Sequence, residues 1–265
     1  MGLFRKRKII LALGGGGARG LCGIGVLKIL ERHFGRGKLP FDMVIGTSIG
    51  SLIGAAYCLG KSLEELEQRA LRFSWPNIVD LGFDSTGIVR GNKFENIILE
   101  TIGDKTFSDM RTPFALTTTD IDTGEELIHT SGDLVKLIRA SCSWPGIFAA
   151  VEVDGRLLVD GGVRNSIPTK AAKGFGATFI LAVNPGFGVK SQWANNFIKA
   201  LIQSVQIMGE ELNAYQSDAA DVVIKPELKD MDQFDFSKAE AIIKEGELAA
   251  EEKIKSLKKK LRFSW

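Results

Sequence analysis

The stretch 41–60, FDMVIGTSIGSLIGAAYCLG, decides how the rest of the chain is read. Phe41 to Ile45 is a short apolar run of the kind that forms a buried strand. It ends in Gly46-Thr47-Ser48-Ile49-Gly50, and a helix of small and apolar residues begins at Ser51. A Gly-x-Ser-x-Gly turn between strand and helix is a nucleophile elbow: small neighbours permit a sharp turn that carries the serine to the end of the sheet. The N-terminus of the following helix would stabilise an alkoxide or a developing oxyanion there. The same position also suits a serine that merely caps the helix. The pentapeptide alone leaves both readings of Ser48 open.

Upstream, Lys8 to Leu13 reads as a buried strand that runs into Gly14 to Gly17, after which Arg19 and Gly20 open a helix over residues 20–34. Glycines allow close backbone approach, and free N–H groups before a helix can hold an anion. Gly15-x-Gly17-x-x-Gly20 also fits a dinucleotide fingerprint, which requires an acidic residue at the end of the next strand to bind ribose. Asp42 precedes the apolar core of that strand, and the strand ends in Gly46-Thr47-Ser48. A nucleotide site is therefore set aside.

Downstream, Ser62-Leu63-Glu64-Glu65 is a capping-box helix start. Strand, helix, strand, helix is the order of a parallel sheet with helices on its faces. Residues 73–110, with Pro76 and several glycines, read as a cap-like insertion with a helix from about Lys93 to Ile102. Its Phe73, Trp75, Ile78 and Phe83 could line an apolar cleft, but for any one of them the preferred reading is that it fills core or a subunit contact; Trp144 to Phe148 is a second candidate for the same cleft. PFALTTTDIDTGEELIHT and VEVDGRLLVDGG each read as two strands around a turn, at Asp122-Thr123-Gly124 and Asp154-Gly155. GDLVKLIRAS is a helix, TFILAVNP and DVVIKP are buried strands, and a long polar helix is expected between them.

A last helix is expected from Ser237, with Glu240 completing a capping box. Ala250, Ile254, Leu257 and Leu261 recur on one face among Lys253, Lys255, Lys258, Lys259, Lys260 and Arg262. The reading adopted is a docked helix with a solvated basic face; a helix lying on a membrane surface is the alternative.

The totals narrow the function classes. The 265 residues are 45% hydrophobic, enough for a substantial core, and the net charge of +2 argues neither for nucleic acid nor for strong membrane attraction. Cys22, Cys58 and Cys142 are an odd number in apolar surroundings, so a reducing compartment is expected rather than a disulfide framework. No short Cys or His spacing suggests a metal, and no cofactor is called for. MGLFRKRKIILAL begins like a secretory signal, but its apolar run stops at Leu13. The expectation is a cytoplasmic protein, with a peripheral membrane contact as an option for its basic ends. The oligomeric state is left open.

A serine nucleophile needs a base, most often histidine. His33 lies near a helix end and His129 follows a hairpin strand, and neither sits in a catalytic context. Asp160-Gly161-Gly162 follows RLLV at a strand end. Such an Asp is commonly a turn residue. It is also the best-placed carboxylate to serve Ser48.

Taken together, Gly15-Gly16-Gly17-Ala18-Arg19-Gly20, Gly46-Thr47-Ser48-Ile49-Gly50 and Asp160-Gly161-Gly162 resemble the signature of patatin-like phospholipases. GIGVLKILE and IRASCSWPGIFAAVEVDGRLLVDGGVRNSIP are similar to that family as well, and the resemblance spans about residues 8–226. It implies an α/β fold, a three-layer α/β/α sandwich around a mainly parallel sheet. It implies lipid acyl hydrolysis by a Ser48–Asp160 dyad, with the amides of Gly15, Gly16 and Gly17 as an oxyanion hole and Arg19 shaping that loop. The expected organisation is one patatin-like domain over 1–265, with residues 227–265 as a helical extension. Many members of the family carry a histidine where this chain has Gly23, a difference that leaves the dyad intact. A catalytically silent interaction protein that keeps the fold is the competing reading.

Overall fold

The computed structural model describes residues 7–35, 41–82, 86–189 and 194–262, and the side chain of Arg262 is not among what it describes. Arg5, Lys6 and Phe83 lie outside the described residues. The first half alternates strand and helix: β1 (Ile9–Leu13), α1 (Cys22–Phe34), β2 (Met43–Thr47), α2 (Ile49–Cys58) and α3 (Leu63–Leu71). The cap region follows as α4 (Trp75–Ile78), β3 (Gly87–Val89) and α5 (Asn92–Ile102). Next come β4 (Phe114–Asp120), β5 (Glu126–His129), α6 (Leu134–Ser141), β6 (Gly146–Phe148), β7 (Val151–Val153) and β8 (Arg156–Asp160). The chain continues through α7 (Gly162–Asn165), α8 (Thr169–Gly174), β9 (Phe179–Val183), α9 (Phe197–Ser217), β10 (Val222–Ile224) and α10 (Ala239–Arg262).

The main sheet has the order β10-β9-β1-β2-β4-β8-β7, with β5 also on β4. Strands β10, β9, β1, β2 and β4 are mutually parallel, and β5, β8 and β7 are antiparallel additions. Both faces are covered, which is why strands such as IILAL read as unbroken apolar runs. Leu11, Leu13, Val44, Leu116, Leu181 and Val183 face α1, α2, α5, α6 and α10. Ile10, Ala12, Ile45, Ala115, Ile180 and Ala182 face a smaller layer with Ile167, Ala171 and Ala172. The expected sandwich is the architecture found. Both hairpins are present, and the second turns on Asp154 (φ 50°) and Gly155 (φ 75°), the paired positive angles of a tight hairpin.

The register of β4 positions the site. Thr117 pairs with Thr47 at the end of β2, and Thr118 pairs with Asp160 at the end of β8. Because β5 pairs with residues 116–119 of β4, it occupies the opposite edge, and β2 and β8 share one edge end to end. One strand arrives parallel and the other antiparallel, so their C-terminal ends meet.

Two expectations for the C-terminal part need correction. The last helix is led in by a 3-10 turn at Phe236–Lys238 whose cap is Asp235, which accepts from the Ser237 amide, rather than by a Ser237 capping box. Aspartate competes well for that position because its short side chain reaches the amide two residues on. The segment before β10 is helical as expected, but its outward face is apolar, with Phe197 and Ile198 among its most exposed residues. The adopted reading of α10 holds. Ala250, Ile254 and Leu257 are buried against the domain, and Lys28 of α1 pairs with Glu247 at 2.6 Å. A methyl group on Gly25 of α1 would lie 2.0 Å from the Ile243 carbonyl oxygen, so the two helices touch backbone to backbone. Among the described residues no helix is long and apolar enough to cross a membrane.

Candidate active site

Ser48 occupies the turn between β2 and α2 with φ 54° and ψ −131°, a left-handed conformation rare for a residue with a Cβ. The turn closes because Gly46 and Gly50 lack side chains. A Cβ on Gly46 would lie 2.4 Å from the Gly50 carbonyl oxygen, and one on Gly50 would lie 2.5 Å from that of Leu13. Ser48 stands at the N-cap position of α2, yet its hydroxyl caps nothing. Its Oγ donates instead to Asp160 Oδ2 at 2.7 Å. The helix-cap reading of Ser48 is thereby set aside. Ser51 Oγ donates to the Ser48 carbonyl at 2.6 Å, an oxygen that also accepts from the Ser51 amide at 2.7 Å.

Asp160 ends β8, and the amide of Gly162 donates to its Oδ1 at 2.7 Å. Both carboxylate oxygens are thereby fixed. Burial pushes the Asp160 carboxyl up to about 6, and the hydrogen bonds from Ser48 and Gly162 only partly oppose that rise. Gly161 passes close to β4: a Cβ there would lie 2.4 Å from Thr117 Oγ1. Thr117 in turn shares a 2.8 Å hydrogen bond with Thr47 Oγ1, tying the two strand ends together.

The glycine loop lies against the elbow. A Cβ on Gly15 would come 2.9 Å from Ser48 Cβ, and one on Gly20 would come 2.1 Å from Ile49 Cγ2. The Gly15 amide donates to the Ser166 carbonyl at 2.9 Å. Among the described residues the amides of Gly16 and Gly17 have no acceptor, which narrows the three candidate donors of the loop to these two. Arg19 is buried and ties the end of the glycine loop to two other loops. Its Nε donates to the Pro185 and Gly186 carbonyls at 3.0 Å, and its Nη1 donates to Met231 at 2.7 Å.

Several contributors left no signal in the sequence. The Ser48 amide donates to Ser141 Oγ at 2.9 Å, from the last residue of α6. Cys142, the next residue, lines the cavity with its thiol pushed up by burial and by the nearby Asp160 charge. The Gln233 carbonyl accepts from the Ala18 amide at 2.8 Å and covers Gly17. Phe234 stacks on Trp144 with centroids 4.8 Å apart, and its carbonyl accepts from Trp75 Nε1 at 2.6 Å. The Gln233 contacts join the extension to the glycine loop across more than 200 residues of sequence, beyond the reach of any local pattern.

Ser48 and Asp160 open onto a cavity of about 740 Å³. Phe73, Trp75, Ile78, Trp144, Ile147 and Phe148 are among its walls, while Ile78 is also part of the core and Phe73 and Phe148 pack against it, so one cluster serves both cleft and core. Its other walls include Phe94, Phe187, Phe234 and Phe236, and neither histidine reaches it. His33 pairs with Glu251 at 2.8 Å, and His129 hydrogen-bonds Thr118 Oγ1 at 2.8 Å.

The family model for patatin-like phospholipase matches residues 11–173, from the first strand past the Asp160 turn. The chain belongs to the patatin-like phospholipase family. Among curated relatives in it, neuropathy target esterase sws of Drosophila melanogaster is 36% identical over 184 residues, 66% of this chain and 13% of that protein. Lysophospholipase nte1 of Aspergillus oryzae is 35% identical over 186 residues, 68% of this chain and 12% of that protein. The chain thus spans a small fraction of the length of these relatives. The crystal structure of VipD from Legionella pneumophila superposes with a TM-score of 0.62 at 11% identity, covering 94% of this chain and 67% of that one. At that identity the likeness speaks to the fold, and it extends beyond the segment matched by the family model.

Proposed function

We propose that the protein is a serine acyl hydrolase that cleaves carboxylic ester bonds of lipids, of the phospholipase A, lysophospholipase or esterase type. The observation that carries this reading is the 2.7 Å hydrogen bond from Ser48 to Asp160 at the floor of an apolar cavity of a size that suits a small organic ligand. Membership of the family, and relatives named as an esterase and as a lysophospholipase, support a lipid ester as substrate.

In this reading Ser48 Oγ attacks the ester carbonyl while its proton passes to Asp160 Oδ2. Negative charge collects on the former carbonyl oxygen and is met by the amides of Gly16 and Gly17, with Gly15 providing the close approach. Collapse of this intermediate expels the alcohol, which takes the proton from Asp160. Water then attacks the acyl-Ser48 ester, gives its proton to Asp160, and the regenerated Ser48 recovers it. A carboxyl with a pKa of about 6 is a better base for this exchange than an ordinary Asp, yet is ionised at neutral pH. The remaining acceleration is assigned to the oxyanion donors, each typically worth about two to three decades.

The test is labelling by a fluorescent fluorophosphonate together with hydrolysis of short and long p-nitrophenyl esters. Wild type is expected to label and turn over, Ser48→Ala to do neither, and Asp160→Asn to be crippled but folded. A folded wild type that neither labels nor hydrolyses would overturn the reading and favour a silent interaction protein.

A further inference from the structure

Helix α9 is built inside out. Its buried positions are Gln203, Gln206, Gly209 and Asn213. It is fastened to the domain by polar contacts: Asn213 Nδ2 donates to Asn184 Oδ1 at 3.3 Å, the Phe187 amide donates to Glu210 at 2.9 Å, and the Ile167 amide donates to the Gln216 side chain at 2.9 Å. Among the described residues, eight of the seventeen exposed large apolar side chains lie on this one helix, so their exposure is not random scatter. Phe197, Ile198, Leu201, Val205, Met208 and Leu212 recur at three- and four-residue spacing and make a single outward stripe.

The stripe is continuous with the catalytic cavity. Leu201, Val205, Met208 and Leu212 are exposed and also form cavity wall. Ile121 and Val163 are likewise both exposed and cavity-lining, and lie outside this helix, so the mouth is apolar beyond α9 as well. From Phe197 to Met208 the helix carries one charged residue, Lys199, and no acid. The basic helix α10, by contrast, has its apolar face covered by α1 and offers no such stripe.

We propose that the outward stripe of α9 docks on a phospholipid surface and sets the cavity mouth against it. The inference rests on the acyl-hydrolase reading of the cavity. A second copy or another protein seated on Leu201, Val205, Met208 and Leu212 would close the mouth. A lipid surface seated there instead lets an acyl chain pass into the cavity without exposing its methylenes to water, the step that the hydrophobic effect opposes. The stripe combines a large apolar face with few charges, which favours insertion at the acyl boundary over attraction to anionic headgroups.

The test is flotation with vesicles of phosphatidylcholine alone, with Ser48→Ala protein alongside wild type so that binding is read without lipid turnover. Both are expected to float, and to go on floating in about 0.5 M salt, where charge attraction is screened. The double variant Phe197→Asp/Ile198→Asp is expected to float about tenfold less, since both aspartates would enter the acyl boundary. Its melting curve is expected to match wild type, because both side chains are exposed. Leu212→Asp, at the far end of the stripe, gives an independent variant expected to lose binding in the same direction. Absence of flotation by wild type overturns the proposal, as does equal flotation by the variants. So does a dimer of wild type that the double variant abolishes, which would assign the stripe to a second copy. Flotation without fluorophosphonate labelling would overturn the hydrolase reading while leaving the docking surface standing.

Discussion

Ser48 and Asp160 are 112 residues apart in sequence and 2.7 Å apart in space, because β2 and β8 end on adjacent rungs of one strand, β4. The carboxylate that receives the serine hydroxyl is buried and has a pKa of about 6. If it is the base, kcat/KM rises with pH through about 6 and then levels, falling about tenfold per unit on the acid side. In Asp160→Asn that limb disappears and the rate drops by about two to four decades. A pH profile of p-nitrophenyl ester hydrolysis checks both. A limb that survives in Asp160→Asn would assign the titration to another group.

The same carboxylate is a local liability to the fold. Its pKa is raised above the ordinary value of 3.8, so between the two values the native state holds a proton that the unfolded chain has released. Stability therefore falls as pH rises across that window, and above about 6 the full cost of burying the charge is present. A shift from 3.8 to about 6 corresponds to about 3 kcal/mol as an upper bound. Asp160→Asn keeps the shape and can still accept from Gly162. It is expected to melt several degrees above wild type at pH 8, with the difference gone near pH 4. Thermal melts across pH read the difference directly.

Much of this site was legible in the chain because its parts are local. Glycines flanking a serine at a strand–helix junction, four glycines after a strand, and an Asp-Gly-Gly after another strand each reflect a close approach that excludes a Cβ, as at Gly46, Gly50 and Gly161. What stayed hidden depends on tertiary pairing. Nothing near Gln233 or Phe234 announces that they cover Gly17 and stack on Trp144. The Gly15 amide is engaged by the Ser166 carbonyl, a partner 151 residues away. Helix α9 misled because its period is right and its polarity is reversed: glutamines and an asparagine face in, where local sequence gives no sign of which side the domain lies on.

The elbow stores backbone strain at Ser48, whose φ of 54° suits glycine. Such a conformation typically costs about 1–3 kcal/mol. Ser48→Gly relieves it and Ser48→Ala does not, while both remove the hydroxyl. Ser48→Gly is therefore expected to be the more stable of the two by about 1 kcal/mol, after the greater freedom of glycine in the unfolded chain is subtracted. Urea denaturation of the pair measures it, and equal midpoints would mean that the turn is held without strain.

Gly17, in the glycine loop, and Gly124, in the β4–β5 turn, together separate backbone conformation from function. Both have positive φ, 55° and 70°. A Cβ on Gly124 meets nothing within 4 Å, whereas one on Gly17 would lie 2.3 Å from the Gln233 carbonyl oxygen. Alanine at Gly124 imposes only the unfavourable φ, an expected loss of about 1–2 kcal/mol of stability with hydrolysis unaffected. Alanine at Gly17 imposes the same φ and also pushes the loop off Gln233, displacing two candidate donors together. Its kcat is expected to fall by about two to three decades with KM little changed, since those donors would act on charge that develops only in the transition state. Steady-state kinetics on the two variants distinguish the outcomes, and a Gly17→Ala enzyme with wild-type kcat would remove the glycine loop from the mechanism.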